Sequence, residues 1–359
     1  MAEVTFRNRR AVQIENDALR LTVLKEGGHI AEVFDKRAGV SPLWIPHWPS
    51  FEPSAMDASA VKPEHAALFG SGSAVKLLAG IMGHNLCLDL FGGPSAEEAA
   101  QGLTDHGEAS VAPYEIAASA TGMQMRLTMP LAQLEFTRSI ELHHEDIRVR
   151  ESVDNLSAID RPLAWTQHVT LSPPYLDPLT TEFRASMTHS IVTESDPGCA
   201  IYLANGKEFT WPYAPYSASS DDPTHKADLR KMHALRPASS YTAHVADPAQ
   251  EHACFVAFSP QYKLAFGYVW KTADFPWMGI WEENCSRPGP PWDGRTITRG
   301  MEFGVSPFPE SRRAMIERSR LLDTPTYKWL PARGRLEAEY WISSRITGEI
   351  PGSLTWPQV

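Results

Sequence analysis

The 359-residue sequence predicts an all-β protein built mainly of antiparallel strands. Three observations support this prediction. Short runs of aliphatic, aromatic and β-branched residues alternate with polar residues, and turn-forming residues separate these runs at short intervals. The chain contains 29 prolines and 23 glycines, many of which interrupt the β-prone runs. Stretches with helical periodicity are few, so we expect only a few short helices.

The overall composition is that of an ordinary globular protein. Hydrophobic residues make up 43% of the chain and charged residues 21%, which allows a substantial core. No change in composition divides the sequence, and all-β sandwiches often exceed the usual domain length, so we predict one domain over residues 1–359. The net charge of −10, without a long basic run, argues against nucleic acid or an anionic membrane surface as a partner. A small neutral or cationic molecule fits better.

The cysteines and the N-terminus indicate a cytoplasmic protein. The sequence has four cysteines without a CxxC pair, and Met1 is not followed by a charged and then apolar leader. No apolar run approaches the ~20 residues of a membrane-spanning helix. We therefore expect free thiols, no membrane contact and a cytoplasmic location, with a homodimer as the expected assembly.

Residues 11–44 are expected to form two strands, a sharp turn and a third strand. In AVQIENDALRLTV the apolar residues alternate with polar ones, and residues 15–17 join the two strands. The pair Gly27-Gly28 predicts a turn with positive φ angles. The segment HIAEVFDK then resumes the alternation.

The following segment combines a long loop with the first concentration of polar residues. Residues 45–65 are rich in proline and serine and have no clear period, which predicts a long ordered loop of the kind that is often functional. Further along, His84, Asn85 and Asp89 alternate with leucines. Residues 95–98, Ser-Ala-Glu-Glu, predict a short helix that begins with a capping serine.

The rest of the chain returns to strand patterns. Residues 111–171 contain consecutive runs with alternating faces, which predict antiparallel strands. Residues 172–250 are less regular, and no elements are assigned there. Residues 254–284 again read as strands, residues 311–322 as a helix, and residues 333–344 as a final strand.

Three polar residues in β-prone surroundings are the candidates for chemistry. His106 lies in GLTDHGEAS, His168 in LAWTQHVTLSPP and Glu302 in TRGMEFGVSPFPES. Each is placed in a predicted strand or at its end. Two imidazoles and one carboxylate can serve as an acid/base set for a neutral substrate.

A metal site is not predicted. His225, His233, His244 and His252 show no HxH or HxxxH spacing among themselves. A zinc or non-haem iron site therefore has no support in the sequence, and solvated histidines are expected.

Five segments, in order, resemble the aldose 1-epimerase (galactose mutarotase-like) superfamily. LTVLKEGGHIAEVFD is similar to the family's strand, Gly-Gly turn and strand, and DHGEA lies at the place of its first active-site histidine. WTQHVTL matches the strand with the second histidine, and RGMEFGVSPFPES looks like the late strand with the catalytic glutamate. LPARGRLEAEYWI resembles the final strand. The resemblance covers most of the chain and implies a β-supersandwich in a divergent branch of the superfamily.

The resemblance implies an enzyme that interconverts the α and β anomers of an aldose by opening and closing the sugar ring. Glu302 is the implied base, with a pKa raised toward neutrality by partial burial. His168 is the implied acid, because an imidazole with a pKa of about 6.5 can give up a proton at cellular pH. His106 would hold the sugar in register. No metal or organic cofactor is expected.

Departures from the family pattern lie where sugar hydroxyls would be recognised. The family's arginine ahead of the first histidine has no counterpart, and His84, Asn85 and Asp89 occupy that region instead. The loop GIWEENCSRPGPPWDGR also differs from the family pattern. The further predicted substrate contacts from this loop are Trp281, Glu282, Trp292 and Arg295.

A non-catalytic carbohydrate-binding or regulatory protein on the same fold is one alternative, because a fold does not determine a function. Such a protein would keep Trp48, Trp281 and Trp292 as sugar contacts, since aromatic faces stack on sugar rings.

A sugar lyase or hydrolase is another alternative. A hydrolase would need a second carboxylate facing Glu302 across the cleft, either Glu282 or Asp177.

For the role of base, Glu108, Glu282 and Glu283 are rival carboxylates that we expect to be solvated or salt-bridged. Glu282 and Glu283 are the main competitors of Glu302, because Trp281 beside them could form a sugar platform.

Overall fold

The structure is a computed structural model that describes residues 2–56, 62–193, 199–217 and 226–358. His225 and residues 57–61 of the predicted loop therefore lie outside the described residues. The strands are β1 (Ala2–Phe6), β2 (Arg9–Glu15), β3 (Leu19–Leu24), β4 (Ile30–Asp35), β5 (His84–Asp89), β6 (Glu115–Ala118), β7 (Gly122–Met129), β8 (Leu134–His143), β9 (Asp146–Asn155), β10 (Arg161–Leu171), β11 (Glu182–Ala185), β12 (Met187–Val192), β13 (Glu208–Thr210), β14 (Tyr213–Pro215), β15 (Lys226–Asp228), β16 (Ala238–Ala246), β17 (His252–Ser259), β18 (Leu264–Lys271), β19 (Trp277–Asn284), β20 (Ile297–Gly304), β21 (Arg320–Leu321), β22 (Thr324–Pro325), β23 (Lys328–Leu330) and β24 (Arg335–Ile346). The α-helices are α1 (Pro63–Phe69), α2 (Val75–Gly80), α3 (Ala96–Ala100) and α4 (Arg312–Arg318).

Two large antiparallel sheets form the body of the protein. The larger sheet has 12 strands in the order β1-β2-β3-β4-β5-β10-β20-β19-β16-β12-β13, with β23 paired to β10. The smaller sheet has eight strands in the order β11-β17-β18-β24-β9-β8-β7-β6. The predicted all-β class with a few short helices is therefore confirmed.

The two sheets pack face to face and enclose the main core. Phe303 of β20 stacks on Trp270 of β18, with ring centroids 4.3 Å apart. Val169 of β10 joins the same cluster as Phe136 of β8 and Tyr340 of β24. Such packing of apolar side chains between two sheets is the usual core of a β-sandwich.

The core also contains a buried ion pair. Arg138 Nε of β8 donates to Glu151 Oε1 of β9 at 2.8 Å, and both side chains are fully buried. Glu151 accepts further hydrogen bonds from Trp165 Nε1, Gln167 Nε2 and the Tyr340 hydroxyl. The pair is thus surrounded by donors from both sheets, which compensates for its burial.

Most local predictions are confirmed. Strands β2, β3 and β4 follow each other as expected, and Gly27 and Gly28 have φ angles of +77° and +60°. Helix α3 begins with the predicted cap, because the Ser95 side chain accepts a hydrogen bond from the Glu98 amide and the Glu98 side chain accepts one from the Ser95 amide. The strands expected in residues 111–171 are β6 to β10.

Helices α1 and α2 were not predicted. Pro63 occupies the first position of α1, which suits a residue without an amide hydrogen, and Gly70, with a φ of +75°, ends the helix. The predicted helix over residues 311–322 is shorter than expected. It ends at Arg318 because Ser319 has a φ of +54° and the next residues form the hairpin of β21 and β22.

The cysteines are unpaired, with Cys87 and Cys254 buried and Cys199 and Cys285 half-buried. No helix within the described ranges is long and apolar enough to cross a membrane.

Candidate active site

The centre of the candidate site is a pair of side chains from neighbouring strands. His168 of β10 lies directly opposite Glu302 of β20 in the antiparallel register. Their neighbours Val169, Met301 and Phe303 point into the core, so the alternation of side chains along a strand directs His168 and Glu302 to the outer face of the larger sheet. His168 Nε2 lies 3.1 Å from Glu302 Oε1.

His106 joins this pair from the loop that follows α3. Its ring centroid is 5.0 Å from that of His168, and its φ of +65° turns the chain sharply. The His106 carbonyl accepts a hydrogen bond from the Leu88 amide of β5 at 3.1 Å. The next residue, Gly107, also packs against β5, since a Cβ atom there would lie 2.4 Å from the Leu88 carbonyl oxygen. The structure thus brings all three predicted catalytic residues together.

The three residues line a cleft of about 820 Å³. Its other walls include Tyr241 of β16, Trp281 of β19, Leu77 of α2 and Asp105. The volume falls within the range of ~300–1,000 Å³ that is usual for small-molecule sites.

Burial disfavours the charged form of all three residues, so it raises the pKa of the carboxyl group and lowers the pKa of both imidazoles. Loss of hydration raises the pKa of Glu302 to about 8, against a smaller lowering by a hydrogen bond from Tyr241. Burial, with a smaller contribution from nearby His106, holds the pKa of His168 well below its usual value. Burial also lowers the pKa of His106 to about 3. At neutral pH, Glu302 therefore holds a proton and both imidazoles are neutral, which is opposite to the charge states expected for a basic Glu302 and an acidic His168.

A second hydrogen bond orients His168. Its Nδ1 lies 3.1 Å from the Thr170 hydroxyl oxygen. When Nδ1 carries the proton and donates to Thr170, Nε2 is left as an acceptor toward the protonated Glu302.

Of the predicted tryptophan contacts, Trp281 is the one beside the catalytic residues. Its ring centroid lies 6.1 Å from that of His168. Trp292 also lines the cleft, but it belongs to a tryptophan cluster with Trp44 and Trp48. Its ring is parallel to that of Trp44 within 7°, and the Arg287 guanidinium lies 4.6 Å above it.

Arg295 and Glu282 do not line the cleft. Arg295 is exposed, and Arg287 from the same loop occupies the cleft wall instead. Glu282 points to the opposite face of the sheet from Trp281, where it forms a buried ion pair with Arg299 at 3.0 Å and accepts a hydrogen bond from Tyr202. Adjacent residues on a strand face opposite sides, so Trp281 and Glu282 cannot both reach the sugar.

Two of the residues predicted from β5, His84 and Asp89, are held by other side chains of the protein. His84 is fully buried between the sheets, with Nε2 2.9 Å from Gln167 Oε1 and Nδ1 3.2 Å from the Tyr268 hydroxyl. Asp89 binds Arg161 and Arg312, each at 2.8 Å.

Asn85 lies opposite His168 in the register but is fully buried and does not line the cleft. Its Nδ2 has no hydrogen-bond partner among the described residues. None of His84, Asn85 and Asp89 is thus among the residues that line the cleft.

The rival carboxylates are occupied elsewhere. Glu108 accepts hydrogen bonds from the amides of Leu131 and Ala132, and Glu283 accepts one from the Arg287 amide. The Asp177 side chain accepts from the Leu179 amide and is not part of the cleft. The carboxylate pairings that a hydrolase would require, Glu302 with Glu282 or Asp177, are thus not formed across the cleft.

Tyr241 and Asp105 are among the cleft residues that the sequence did not predict. Tyr241 lies in the irregular segment for which no element was assigned. Asp105 directly precedes His106, and its position next to a candidate histidine was the one available signal. Asp105 Oδ1 is buried and has no hydrogen-bond partner among the described residues. Across the described ranges, no group of three or more histidine, cysteine, aspartate and glutamate side chains could hold a metal ion.

Solved structures with the same architecture come from bacteria and an animal. A galactose mutarotase-like protein from Clostridium acetobutylicum has 12% identity and a TM-score of 0.62 over 96% of this chain and 98% of its own. A galactose mutarotase related enzyme from Lactobacillus acidophilus has 13% identity and a TM-score of 0.57 over 95% and 99%. An aldose epimerase homologue from C. elegans has 10% identity and a TM-score of 0.55 over 94% and 99%.

These likenesses establish the galactose mutarotase-like fold for this chain. No family model and no curated protein matches the sequence. The predicted resemblance to the superfamily is thus confirmed at the level of the fold, with the sequence divergence that was expected.

Proposed function

We propose that the protein interconverts the α and β anomers of an aldose or a modified sugar by general acid/base catalysis. The observation that carries this proposal is the contact between His168 and Glu302 in the cleft, which joins one proton donor to one proton acceptor. Ring opening needs such a set, because one group removes the proton of the anomeric hydroxyl while another protonates the ring oxygen.

The pair holds one proton between its two members at neutral pH. With Glu302 protonated and His168 neutral, Glu302 is the acid that protonates the ring oxygen, and His168 Nε2 is the base that accepts the anomeric proton. These roles are the reverse of those that the family resemblance implies. After ring opening, Glu302 is a carboxylate and His168 is an imidazolium. Rotation about the bond between the first two carbons, followed by the same transfers in reverse, closes the other anomer.

Sugar binding also has to change the contact between His168 and Glu302. A bound sugar has to insert its anomeric and ring oxygens beside these two groups and replace their direct contact. The hydrogen bond from His168 Nδ1 to Thr170 and the strand register limit how far the two side chains must move. Both groups therefore approach the sugar from the sheet that forms the floor of the cleft.

The remaining cleft residues suit a ligand with many hydroxyl groups. His106 can hydrogen-bond a hydroxyl near the reacting carbon, because its ring lies beside that of His168. Trp281 offers an apolar surface for the sugar ring. Asp105 adds a carboxylate with an unsatisfied oxygen, and a sugar hydroxyl would supply the missing donor.

Magnetisation-exchange NMR on free aldoses and uronic acids tests this function and identifies the sugar. The rate of α/β exchange is measured with the wild-type protein and with His168→Ala and Glu302→Gln. We expect acceleration on at least one sugar, lost in both variants. Line broadening that reports binding, without acceleration on any sugar, would instead indicate a carbohydrate-binding protein.

A further inference from the structure

Tyr241 is the cleft residue most closely tied to Glu302 after His168. It lies on β16 opposite Trp281 of β19 and faces the cleft. Its hydroxyl oxygen lies 3.3 Å from Glu302 Oε2 and 3.3 Å from the carbonyl oxygen of Pro307. Glu302 thus has His168 at one carboxyl oxygen and Tyr241 at the other.

Two glycines leave the space in which this contact forms. A Cβ atom at Gly279 of β19 would lie 2.1 Å from the Tyr241 hydroxyl oxygen. A Cβ atom at Gly300 of β20 would lie 2.5 Å from Glu302 Oε1. Any other residue at these two positions would displace Tyr241 or Glu302. Since neither glycine has a positive φ, the need for glycine is one of space on this face of the sheet.

The Tyr241 hydroxyl has one hydrogen and two acceptors within reach. When Glu302 is protonated and donates to His168, the hydroxyl can donate to the Pro307 carbonyl. When Glu302 has lost its proton, the negative charge makes Oε2 the better acceptor, and the hydroxyl can turn toward it. Tyr241 itself stays protonated, because burial and the nearby Glu302 hold its pKa well above its usual value.

We propose that Tyr241 is a positioning residue that holds Glu302 against His168 and donates a hydrogen bond to Glu302 each time its proton moves to the sugar. This inference rests on the proposed function for its role in turnover. Its physical content, the hydrogen bond to the Glu302 carboxylate, can be measured without any sugar.

Among the ionisable groups around Glu302, Tyr241 is the one that can donate a hydrogen bond to the Glu302 carboxylate during turnover. His168 of β10 is already the proton acceptor of the pair. Cys87 of β5 faces Glu302, and burial and the carboxyl group hold the pKa of its thiol well above the usual value, so it stays neutral. His106 contacts His168 rather than Glu302.

The direct test is the titration of Glu302 in the sugar-free protein, followed by 13C NMR of the side-chain carboxyl groups and assigned with Glu302→Gln. Tyr241→Phe removes the hydroxyl and keeps the ring. Because the hydroxyl stabilises the carboxylate, we expect the Glu302 pKa to rise in this variant. Tyr175→Phe is the matched control, since its buried hydroxyl is hydrogen-bonded to backbone groups, among them the carbonyls of Ala257 and Leu264.

A glycine variant provides a second route to the same result. Gly279→Ala should displace the Tyr241 hydroxyl without removing it and should also raise the Glu302 pKa. Gly348→Ala is its control, because nothing lies within 4 Å of a Cβ atom there and its φ is not positive. An unchanged Glu302 titration in both Tyr241→Phe and Gly279→Ala would overturn the inference.

Turnover provides the second readout. In Tyr241→Phe we expect kcat to fall about tenfold with KM little changed, as for loss of one hydrogen bond to a charged group. The decline of the rate at high pH should also move to higher pH. A KM effect alone, with an unchanged pH profile, would contradict a positioning role. Inactivity of the wild-type protein on every sugar would reject the proposed function, while the titration would still decide the contact between Tyr241 and Glu302.

Discussion

Glu302 is the single residue whose replacement is expected to reduce activity most. In Glu302→Gln the side chain keeps its size but can no longer exchange a proton with His168. We expect kcat for anomer exchange to fall by about 10²- to 10⁴-fold, the usual contribution of a general acid or base, with little change in sugar affinity. The exposed Glu337 of β24 supplies the control variant Glu337→Gln, which should behave as wild type. Unchanged exchange in Glu302→Gln would remove Glu302 from the mechanism.

The pH dependence follows from the proton that Glu302 and His168 share. Because burial raises the Glu302 pKa to about 8, the pair keeps its proton below that pH and loses it above. The rate should therefore be level near neutral pH and fall as pH rises through about 8. At the acid end, a second proton joins the pair only well below the usual imidazole range, because burial lowers the His168 pKa. Anomer-exchange rates measured across this pH range and extrapolated to zero buffer concentration check this pH dependence. A rate that rises as pH passes through about 8 would instead show that the Glu302 carboxylate is the active form.

Asp105 is expected to contribute to sugar binding rather than to proton transfer. Asp105→Asn keeps the shape of the side chain but replaces one acceptor oxygen by a donor. We expect KM to rise about tenfold, as for loss of a hydrogen bond to a charged group, with kcat changed little. Steady-state kinetics on the best sugar of the panel measures the two constants separately. A fall in kcat at constant KM would place Asp105 in the chemistry instead.

At the level of strands, the site requires glycine at Gly279 of β19 and Gly300 of β20, where a side chain would collide with Tyr241 or Glu302. A methyl group at Gly300 would meet Glu302 Oε1, so Gly300→Ala should move Glu302 away from His168. We expect loss of most anomer exchange while the far-UV circular dichroism stays that of the wild type. Gly348→Ala, at an open position, should retain full activity. Wild-type exchange in Gly300→Ala would show that the close approach of Glu302 and His168 is not needed.

Strand alternation explains what the sequence could and could not predict about the site. The strand that carries His168 was predicted from its alternating pattern and the strand that carries Glu302 from the family resemblance, and both residues lie in the cleft. The same alternation requires that neighbours such as His84 and Asn85 face opposite sides, so they could not both contact a substrate. Which side faces the core depends on the packing of the second sheet. For β5 and β19 all neighbouring residues are buried, so polarity gives no indication of the outer face.

Helices α1 and α2 could not be predicted from the sequence because they are short. They are 7 and 6 residues long, and neither extends over the several turns in which helical periodicity becomes visible. Their contacts with the tryptophan cluster hold them in place, and those contacts are distant in sequence. Residue Leu77 of α2 then forms one wall of the cleft.

For the whole molecule, the buried pair of Arg138 and Glu151 links the stability of the two sheets. Glu151→Ala leaves the Arg138 guanidinium buried without its partner and removes an acceptor from Trp165 and Tyr340. We expect the free energy of unfolding to fall by about 3–5 kcal/mol, the usual effect of breaking a buried pair. Urea denaturation measures this change. A loss below about 1 kcal/mol, the range of exposed ion pairs, would show that water compensates Arg138.

The order of the strands in the sheets could not be predicted from the sequence in the same way as the strands themselves. The centre of the site is formed by β10, β20, β19 and β16, which come from separate parts of the chain. Local patterns contain no information on these pairings, because the register of distant strands is set by the shared core. The all-β class followed from the local patterns, whereas the order of the five family-like segments predicted the particular fold and also placed His106, His168 and Glu302 together.

A double-mutant cycle of His168 and Glu302 tests the proton-sharing pair most directly. Anomer-exchange rates at neutral pH are measured for the wild type, His168→Ala, Glu302→Gln and the double variant. Groups that act as one unit lose nearly all activity when either is removed. We therefore predict that the double variant is about as active as the less active single variant. Losses that multiply, or a single variant that keeps wild-type exchange, would contradict a shared proton between His168 and Glu302.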